Sequence, residues 1–334
     1  PPRSPSSSSS ARPMRREDAE KAVEMFNECT QRLMGVSMEN TEEDLVMWSQ
    51  PGFEMETDTQ LVLSPEGEIV GYVELWDIVE PHVRPFGWAR THPDAFGRGI
   101  GTYLESWMEE RARKAIARAP EGARVSMLQS VISVDQSGLT FLRAKGYTET
   151  RHFYNMRVQF DSAPDAPILP EGLTIRPMAQ GEEKKLFHAS WEAFKDHWGV
   201  VPSSFESTLE RWMHRISEDP DFDRSLWFGA WDGDQVAGIC FNKEKTTEDP
   251  EMAWVNTLGV RREWRHKGLG LALLLHSFGE FYKRGKRKAG LGVDASSLTG
   301  ATRLYEKAGM RVFREFVQFE KELRPGQELS TQTL

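Results

Sequence analysis

The chain has 334 residues, 39% of them hydrophobic and 28% charged, with a formal net charge of −9. That length suits two globular domains, and the acidic balance argues against a general nucleic-acid partner. No apolar run is long enough for a membrane span, and Cys29 and Cys240 give neither a zinc spacing nor a disulfide framework, which suits a reducing cytoplasm.

Pro1 to Ser10 is rich in proline and serine and reads as a disordered tail over residues 1–10, without the apolar core of a signal peptide. Arg12-Pro13 then leads into a helix whose apolar positions are Ala22, Val23, Phe26 and Leu33. A short helix follows over Thr41 to Trp48, with Glu42, Glu43 and Asp44 in its first turn. Leu61–Leu63 and Ile69–Trp76 flank Ser64-Pro65-Glu66-Gly67-Glu68 and form a hairpin. Phe86 to Thr91 is the next strand, and a charged helix covers Thr102 to Arg118. Val125 to Val134 is a buried strand, Gly138 to Lys145 a short helix ended by Gly146, and Tyr154 to Phe160 closing strand.

Asp161 to Gly172 holds three prolines and little periodicity, so 161–172 reads as a linker between domains over 11–160 and 173–325, with a flexible tail over 326–334. Leu173 to Arg176 opens the second half. Helical patterns follow over Glu182–Trp198 and Phe205–Ser217, and a hairpin turns at Asp232-Gly233-Asp234. Strand, helix, strand, helix and strand then run over Trp254–Val260, Leu271–Lys283, Ala289–Val293, Gly300–Ala308 and Val312–Leu323. Each half is expected to read β-α-α-β-β-β-α-β-α-β-β.

The stretch Arg265-His266-Lys267-Gly268-Leu269-Gly270 follows a buried strand and opens a helix. Unpartnered N–H groups and the positive end of the dipole meet there, Gly268 and Gly270 leave the backbone open, and Arg265 and Lys267 add charge. This is the arrangement expected of a phosphate or pyrophosphate site. Phe96-Gly97-Arg98-Gly99-Ile100-Gly101 repeats it, with Thr102 opening the helix, and Gly101 and Gly270 are 169 positions apart (270 − 101). Arg12-Pro13-Met14 matches Arg176-Pro177-Met178, and Val134-Asp135 with Gly146 matches Val293-Asp294 with Gly309. Landmarks in one order at nearly one spacing indicate a duplicated domain.

The pattern Arg-x-x-Gly-x-Gly after a strand, with Leu304-Tyr305-Glu306-Lys307-Ala308-Gly309-Met310 downstream, resembles the GCN5-related N-acetyltransferase (GNAT) superfamily. The resemblance covers almost the whole chain, twice, and the tandem arrangement is similar to that of mycothiol synthases, among others. It implies an α/β (α+β) fold of two tandem GNAT-like domains, each a mixed, mostly antiparallel sheet flanked by helices, with two central parallel strands splayed around acetyl-CoA. It implies an acetyl-CoA-dependent N-acetyltransferase acting on an amine-bearing acceptor, with acetyl-CoA as acyl-donor co-substrate and no metal. A CoA-binding sensor or scaffold is the alternative from another class, and a mycothiol-synthase-like acetyltransferase is a further alternative that rests on the tandem architecture alone. Neither a nucleic acid nor a membrane is an expected partner, and oligomerisation is not indicated.

The resemblance places cofactor contacts at Leu258, Gly259 and Val260, whose backbone polarises the thioester carbonyl, at Arg265 through Leu271 on the glycine turn, and at Ser297, which stands where the family has an asparagine. In the first half the matching contacts are Thr91, Gly97, Arg98, Gly99, Ile100, Gly101 and Thr102. Tyr305 occupies the family's tyrosine position, where a phenol protonated at neutral pH can donate to the departing thiolate. Leu142 stands at the matching place and Phe96 begins the first turn, so the N-terminal domain is expected to be degenerate and the C-terminal one catalytic. Glu251, just before the central strand, is the candidate general base, with Asp249 nearby. Asp294 reads as structural because Asp135 matches it. His197 lies on the segment that in this family usually shapes the acceptor pocket and has two readings, a base at neutral pH or a histidine packed beside Trp198, of which packing is preferred.

Overall fold

The computed structural model describes residues 9–333. The tail expected over 1–10 falls mostly outside the described residues, and Ser10 is already in a strand. The first repeat runs β1 (Ser10–Arg12), α1 (Ala19–Met34), α2 (Thr41–Trp48), α3 (Met55–Asp58), β2 (Thr59–Leu63), β3 (Ile69–Trp76), β4 (Phe86–Thr91), α4 (Ile100–Arg113), β5 (Val125–Ile132), α5 (Gln136–Ala144) and β6 (Thr148–Gln159). The second runs β7 (Leu173–Pro177), α6 (Glu183–Phe194), α7 (Phe205–Glu218), β8 (Trp227–Asp232), β9 (Gln235–Lys243), β10 (Met252–Val260), α8 (Leu269–Lys283), β11 (Lys288–Asp294), α9 (Ala301–Lys307) and β12 (Arg311–Arg324). The order is the expected one with two differences: α3 is added, and the last two strands of each repeat are one long strand.

Local chemistry accounts for the boundaries. Helix α1 buries Ala22, Val23 and Phe26 along one stripe and ends where Gly35 turns left-handed at φ 73°. Asn40 caps α2, its Oδ1 accepting from the backbone N–H of Glu42 at 2.9 Å and of Glu43 at 3.3 Å. Alternation in β3 sends Tyr72, Glu74 and Trp76 to one face. The half-buried Glu74 carboxylate accepts from Tyr72 Oη at 2.6 Å and from the indoles of Trp48 and Trp76, each at 2.8 Å, so both of its oxygens are hydrogen-bonded.

The described chain forms two compact units, and they are not the two repeats. The first comprises the chain up to Thr150 with Glu210–Pro220 and Gln318–Leu329, and the second comprises Arg151–Leu209, Asp221–Val317 and the chain from Ser330 onward. This corrects the expected boundary. Asp161–Gly172 lies wholly within the second unit, and the division falls inside β6, after Thr150. The reason is hydrogen bonding. Phe153 to Gln159 of β6 pair antiparallel with Asp294 to Lys288 of β11, so the last strand of repeat one completes the sheet of the second unit. From Gln318 onward β12 belongs to the first unit, where Arg124 meets Glu322 at 2.8 Å and Glu328 at 3.0 Å.

The segment 326–333 is also tied down, against expectation. Gln327 exchanges backbone bonds with Gly122 and Arg124, each 2.8 Å long, in the first unit. Thr331 bonds Gly199 at 2.7 Å and Val200 at 2.9 Å in the second.

Both units share one sheet plan. In the first, β1 to β4 are antiparallel neighbours and β4 pairs parallel with β5. In the second, β7 to β10 are antiparallel neighbours and β10 pairs parallel with β11. Helices cover both faces of the second sheet. A Cβ on Gly238 would come to 3.0 Å from Leu273 of α8, and one on Gly259 to 2.7 Å from the Phe194 ring of α6. Those two positions need glycine because the helices approach the backbone so closely.

Candidate active site

Between β10 and α8 the chain passes through two left-handed residues, His266 at φ 61° and Gly268 at φ 84°. Alternating hands turn successive backbone N–H groups toward one side, a concavity suited to an anion. Gly268 is the N-cap of α8 and offers no side chain to the first-turn donors, which stay open. A Cβ there would meet no atom within 4 Å, so the space in front of the turn is empty. The first repeat copies this conformation at the 169-residue offset: Gly97 has φ 76°, Gly99 has φ 78° and caps α4, and Ile100 is buried as Leu269 is. Gly101 and Gly270 sit one residue into the helices. A Cβ on Gly270 would lie 3.0 Å from Leu304 Cδ1, which sets how tightly α8 packs on α9. Arg98 and Thr102 are exposed beside the first turn, and Lys267 is exposed beside the second, with no acidic partner among the described residues.

Arg265 does not extend its charge over the turn as expected. Its Nη1 donates to Asp196 Oδ2 at 2.7 Å, and its Nη2 to Asp196 Oδ1 at 3.0 Å and to the Ala193 carbonyl at 2.9 Å. Its Nε donates to the Val260 carbonyl at 3.0 Å. Arg262 adds a bond to Asp196 at 2.9 Å, and the paired guanidinia hold the Asp196 carboxyl down at about 2. Arg265 is therefore a clamp between the end of α6 and the start of the turn. Charge patterning alone gave no sign of this, because Asp196 and Arg265 are distant in sequence.

The parallel pair β10–β11 is short. It joins Met252–Val255 to Lys288–Leu291, and a bulge then shifts β10 between Val255 and Thr257. Past the bulge Thr257–Val260 keep β9 as a neighbour and leave β11, so their other edge faces a gap. Backbone N–H groups on that edge have lost a strand partner and are free to donate to a carbonyl oxygen. The gap is a cavity of about 780 Å³ that runs from the turn to the splay, with Leu258, Gly259, Val260, Leu271, Ser297 and Tyr305 among its walls. Ser297 Oγ is already engaged locally, with the backbone N–H of Thr299 at 3.3 Å and of Ala301 at 3.4 Å.

Tyr305 is 7% exposed. Burial pushes its phenol above the ordinary value, so it is protonated at neutral pH. Its hydroxyl has no hydrogen-bond partner among the described residues, and the residue borders the cavity. In the first unit Leu142 of α5 is buried at the matching place, and Arg90 stands where the second unit has Gly259. The Arg90 guanidinium lies over Trp88, 4.3 Å from the ring centroid. Thr91, next to it, approaches Gly101, where a Cβ would be 3.7 Å from Thr91 Oγ1.

Glu251, the expected base, does not line this cavity. It is exposed in the turn before β10, and about 30 Å of strand separates it from Val260 at ~3.3 Å per residue. Asp249 is there too, bound to Lys288 Nζ at 2.8 Å. Asp294 and His197 do border the cavity, together with Phe153 and Trp198. Asp294 takes a forked bond from Arg151, whose Nη2 is 3.0 Å from Oδ2 and whose Nε is 3.1 Å from each oxygen. Arg151 also lies 4.5 Å from the centroid of the Trp198 ring. Phe153, which lines the cavity, and Arg151, which holds Asp294, come from repeat one, and nothing in their local sequence marks either for that place. Among the described residues no group of three or more His, Cys, Asp or Glu is placed to hold a metal ion, and no helix is long and apolar enough to cross a membrane.

The acetyltransferase (GNAT) family model matches residues 20–124 and 184–310, together well over half of the chain. The mycothiol acetyltransferase of Streptomyces scabiei is 30% identical over 264 residues, covering 79% of this chain and 78% of the relative. That of Thermobispora bispora is 30% identical over 254 residues, covering 75% and 79%. Among solved structures, a GCN5-related N-acetyltransferase from Sphaerobacter thermophilus aligns with a TM-score of 0.78 and 33% identity over 97% of this chain and 98% of its own. A tandem GNAT protein from the clavulanic acid biosynthesis pathway shares the fold, with a TM-score of 0.71 at 16% identity over 96% of this chain and 100% of its own. Two copies of one sheet plan, each with a glycine turn at the head of a helix, and a match in both halves lead to one conclusion: the chain belongs to the GNAT family and is a tandem, acetyl-CoA-dependent N-acetyltransferase.

Proposed function

We propose that acetyl-CoA binds the second unit, with its pyrophosphate on the turn His266–Gly270 and its thioester in the splay, and that acetyl transfer takes place there. The observation that carries this reading is Tyr305, a protonated phenol without a hydrogen-bond partner among the described residues, in the wall of the cavity that joins the turn to the splay. Backbone donors of Leu258–Val260 polarise the carbonyl, the acceptor amine attacks it, and Tyr305 donates its proton to the departing sulfur. In the first unit Leu142 has no proton to give and Arg90 brings a charged side chain to the matching strand position, so that unit supports the fold or holds a CoA-like ligand without turnover. The intact second site disfavours a purely sensory role for the chain.

The similarity to mycothiol acetyltransferases supports the deacetylated form of mycothiol as the acceptor. Both cysteines are free, and burial pushes the Cys29 thiol up to about 11 and the Cys240 thiol up to about 12, so neither is a reactive thiolate at neutral pH. The test is thiol release from acetyl-CoA with that acceptor and with a panel of primary amines that includes glucosamine. Turnover with the mycothiol precursor well above the panel supports the acceptor; turnover with other amines alone removes it; tight binding of acetyl-CoA without turnover on any amine favours the sensor.

A further inference from the structure

We infer that His197 is the general base of the second unit, taking the proton from the acceptor amine on the α6 face of the splay. This rests on the reading of that unit as the acetyltransferase site. Among the titratable side chains in the cavity wall, Arg265, Arg303 and Lys307 are cations and Tyr305 is a protonated donor. His266 belongs to the turn, on the pyrophosphate side. Asp294 is the one carboxylate in the wall, and the Arg151 fork occupies both of its oxygens. His197 remains, with no side-chain hydrogen bond to either ring nitrogen among the described residues. Its ring rests on Phe194, with centroids 4.4 Å apart. Phe194 is the side chain that approaches Gly259 from the α6 side, opposite α8.

The charges around the ring are paired. Asp196 precedes it and is bound by Arg262 and Arg265; Asp294 of β11 is covered by Arg151 of β6. Burial dominates and lowers the imidazole below the ordinary 6.5, with Asp196 and Asp294 opposing that shift and Arg265 adding to it. At neutral pH the ring is therefore a neutral acceptor. Because Asp196 holds Arg265, the segment bearing His197 is attached to the phosphate turn, which fixes the base relative to the bound thioester.

The step balances as follows. The amine nitrogen bonds the carbonyl carbon, its proton passes to an imidazole nitrogen of His197, and the C–S bond breaks. The Tyr305 proton goes to sulfur, giving an amide and free CoA thiol. His197 then returns one proton to solvent and Tyr305 takes one back, so neither residue is consumed.

The test uses the full chain with acetyl-CoA and whichever probe amine, glucosamine or deacetylated mycothiol, the wild type turns over. Its kcat/KM should rise with pH through a limb below 6.5. His197→Gln should lose on the order of 10²–10⁴-fold in kcat and lose that limb, with the KM for acetyl-CoA nearly unchanged, and added imidazole should restore part of the rate to His197→Ala. A His197→Gln protein with wild-type rate and the same limb overturns the assignment. NMR titration of the His197 ring in the acetyl-CoA complex tests it without an acceptor: a ring that stays protonated at neutral pH, and so cannot accept a proton, also overturns it. Wild-type protein that binds acetyl-CoA and acetylates nothing would instead count against the acetyltransferase placement, while the titration still decides the state of His197.

Discussion

Asp196→Ala separates two roles for Arg265. If Arg265 is a clamp, removing its partner loosens α6 from the turn and weakens acetyl-CoA binding. If it serves the pyrophosphate directly, the same change frees a guanidinium and tightens binding. The geometry favours the clamp, since Nε and both Nη atoms already have acceptors within 3.0 Å. The Asp196 carboxyl at about 2 against an ordinary 3.8, at ~1.36 kcal/mol per pH unit, corresponds to about 2 kcal/mol. Side-chain exposures of 13% for Asp196 and 15% for Arg265 leave some screening by water, which brings the expected loss to about 1–2 kcal/mol. For units of this size that is a fall of roughly 2–8 °C in the unfolding midpoint of the second unit. The pair also sets a pH dependence. A depressed carboxyl stabilises fully above its unfolded value of 3.8, and this contribution is lost as pH falls through about 2. Thermal scans from pH 6 to pH 2 should therefore show wild type and Asp196→Ala converging at the acid end, and calorimetry with acetyl-CoA at neutral pH should show weaker binding to the variant. Unchanged stability together with tighter binding would refute the clamp.

Tyr305→Phe keeps the packing and removes the proton, so kcat should fall on the order of 10²–10⁴-fold with acetyl-CoA affinity nearly unchanged; equal turnover in a coupled thiol assay would remove Tyr305 as the acid. Gly268→Val puts a branched side chain at φ 84° and into the open space before the turn. It should cost about 1–3 kcal/mol of stability and abolish calorimetric binding of acetyl-CoA, and unchanged affinity in the folded variant would move the pyrophosphate elsewhere. Leu142→Ala, in the core of the first unit, should cost ~2–5 kcal/mol by denaturant titration without a specific effect on chemistry; lost turnover with intact folding would reassign the catalytic repeat.

Much of this protein was legible in its sequence because the relevant physics is local. Left-handed backbone at a glycine turn, open donors at a helix start and alternation along a strand depend on neighbours within a few residues. The turns at Gly99 and Gly268 and the helices they open were therefore placed by sequence alone, and the 169-residue offset already paired them. The position of Tyr305 on its short helix was also readable, whereas its unbonded hydroxyl in a cavity wall was not.

What the tertiary structure alone decided concerns partners distant in the chain. The hydrophobic pattern of Thr148–Gln159 marks a strand but says nothing of which edge it joins, and only the hydrogen bonds to β11 send it into the second unit. Proximity in sequence suggested Glu251 as a base, but an extended strand carries it to the far end, while the loop after α6 brings His197 to the gap. Arg265 looked like a free cation until the fold set Asp196 against it. Each of these outcomes depends on a non-local pairing whose energy is realised only when both partners are in place, and so no local pattern records it.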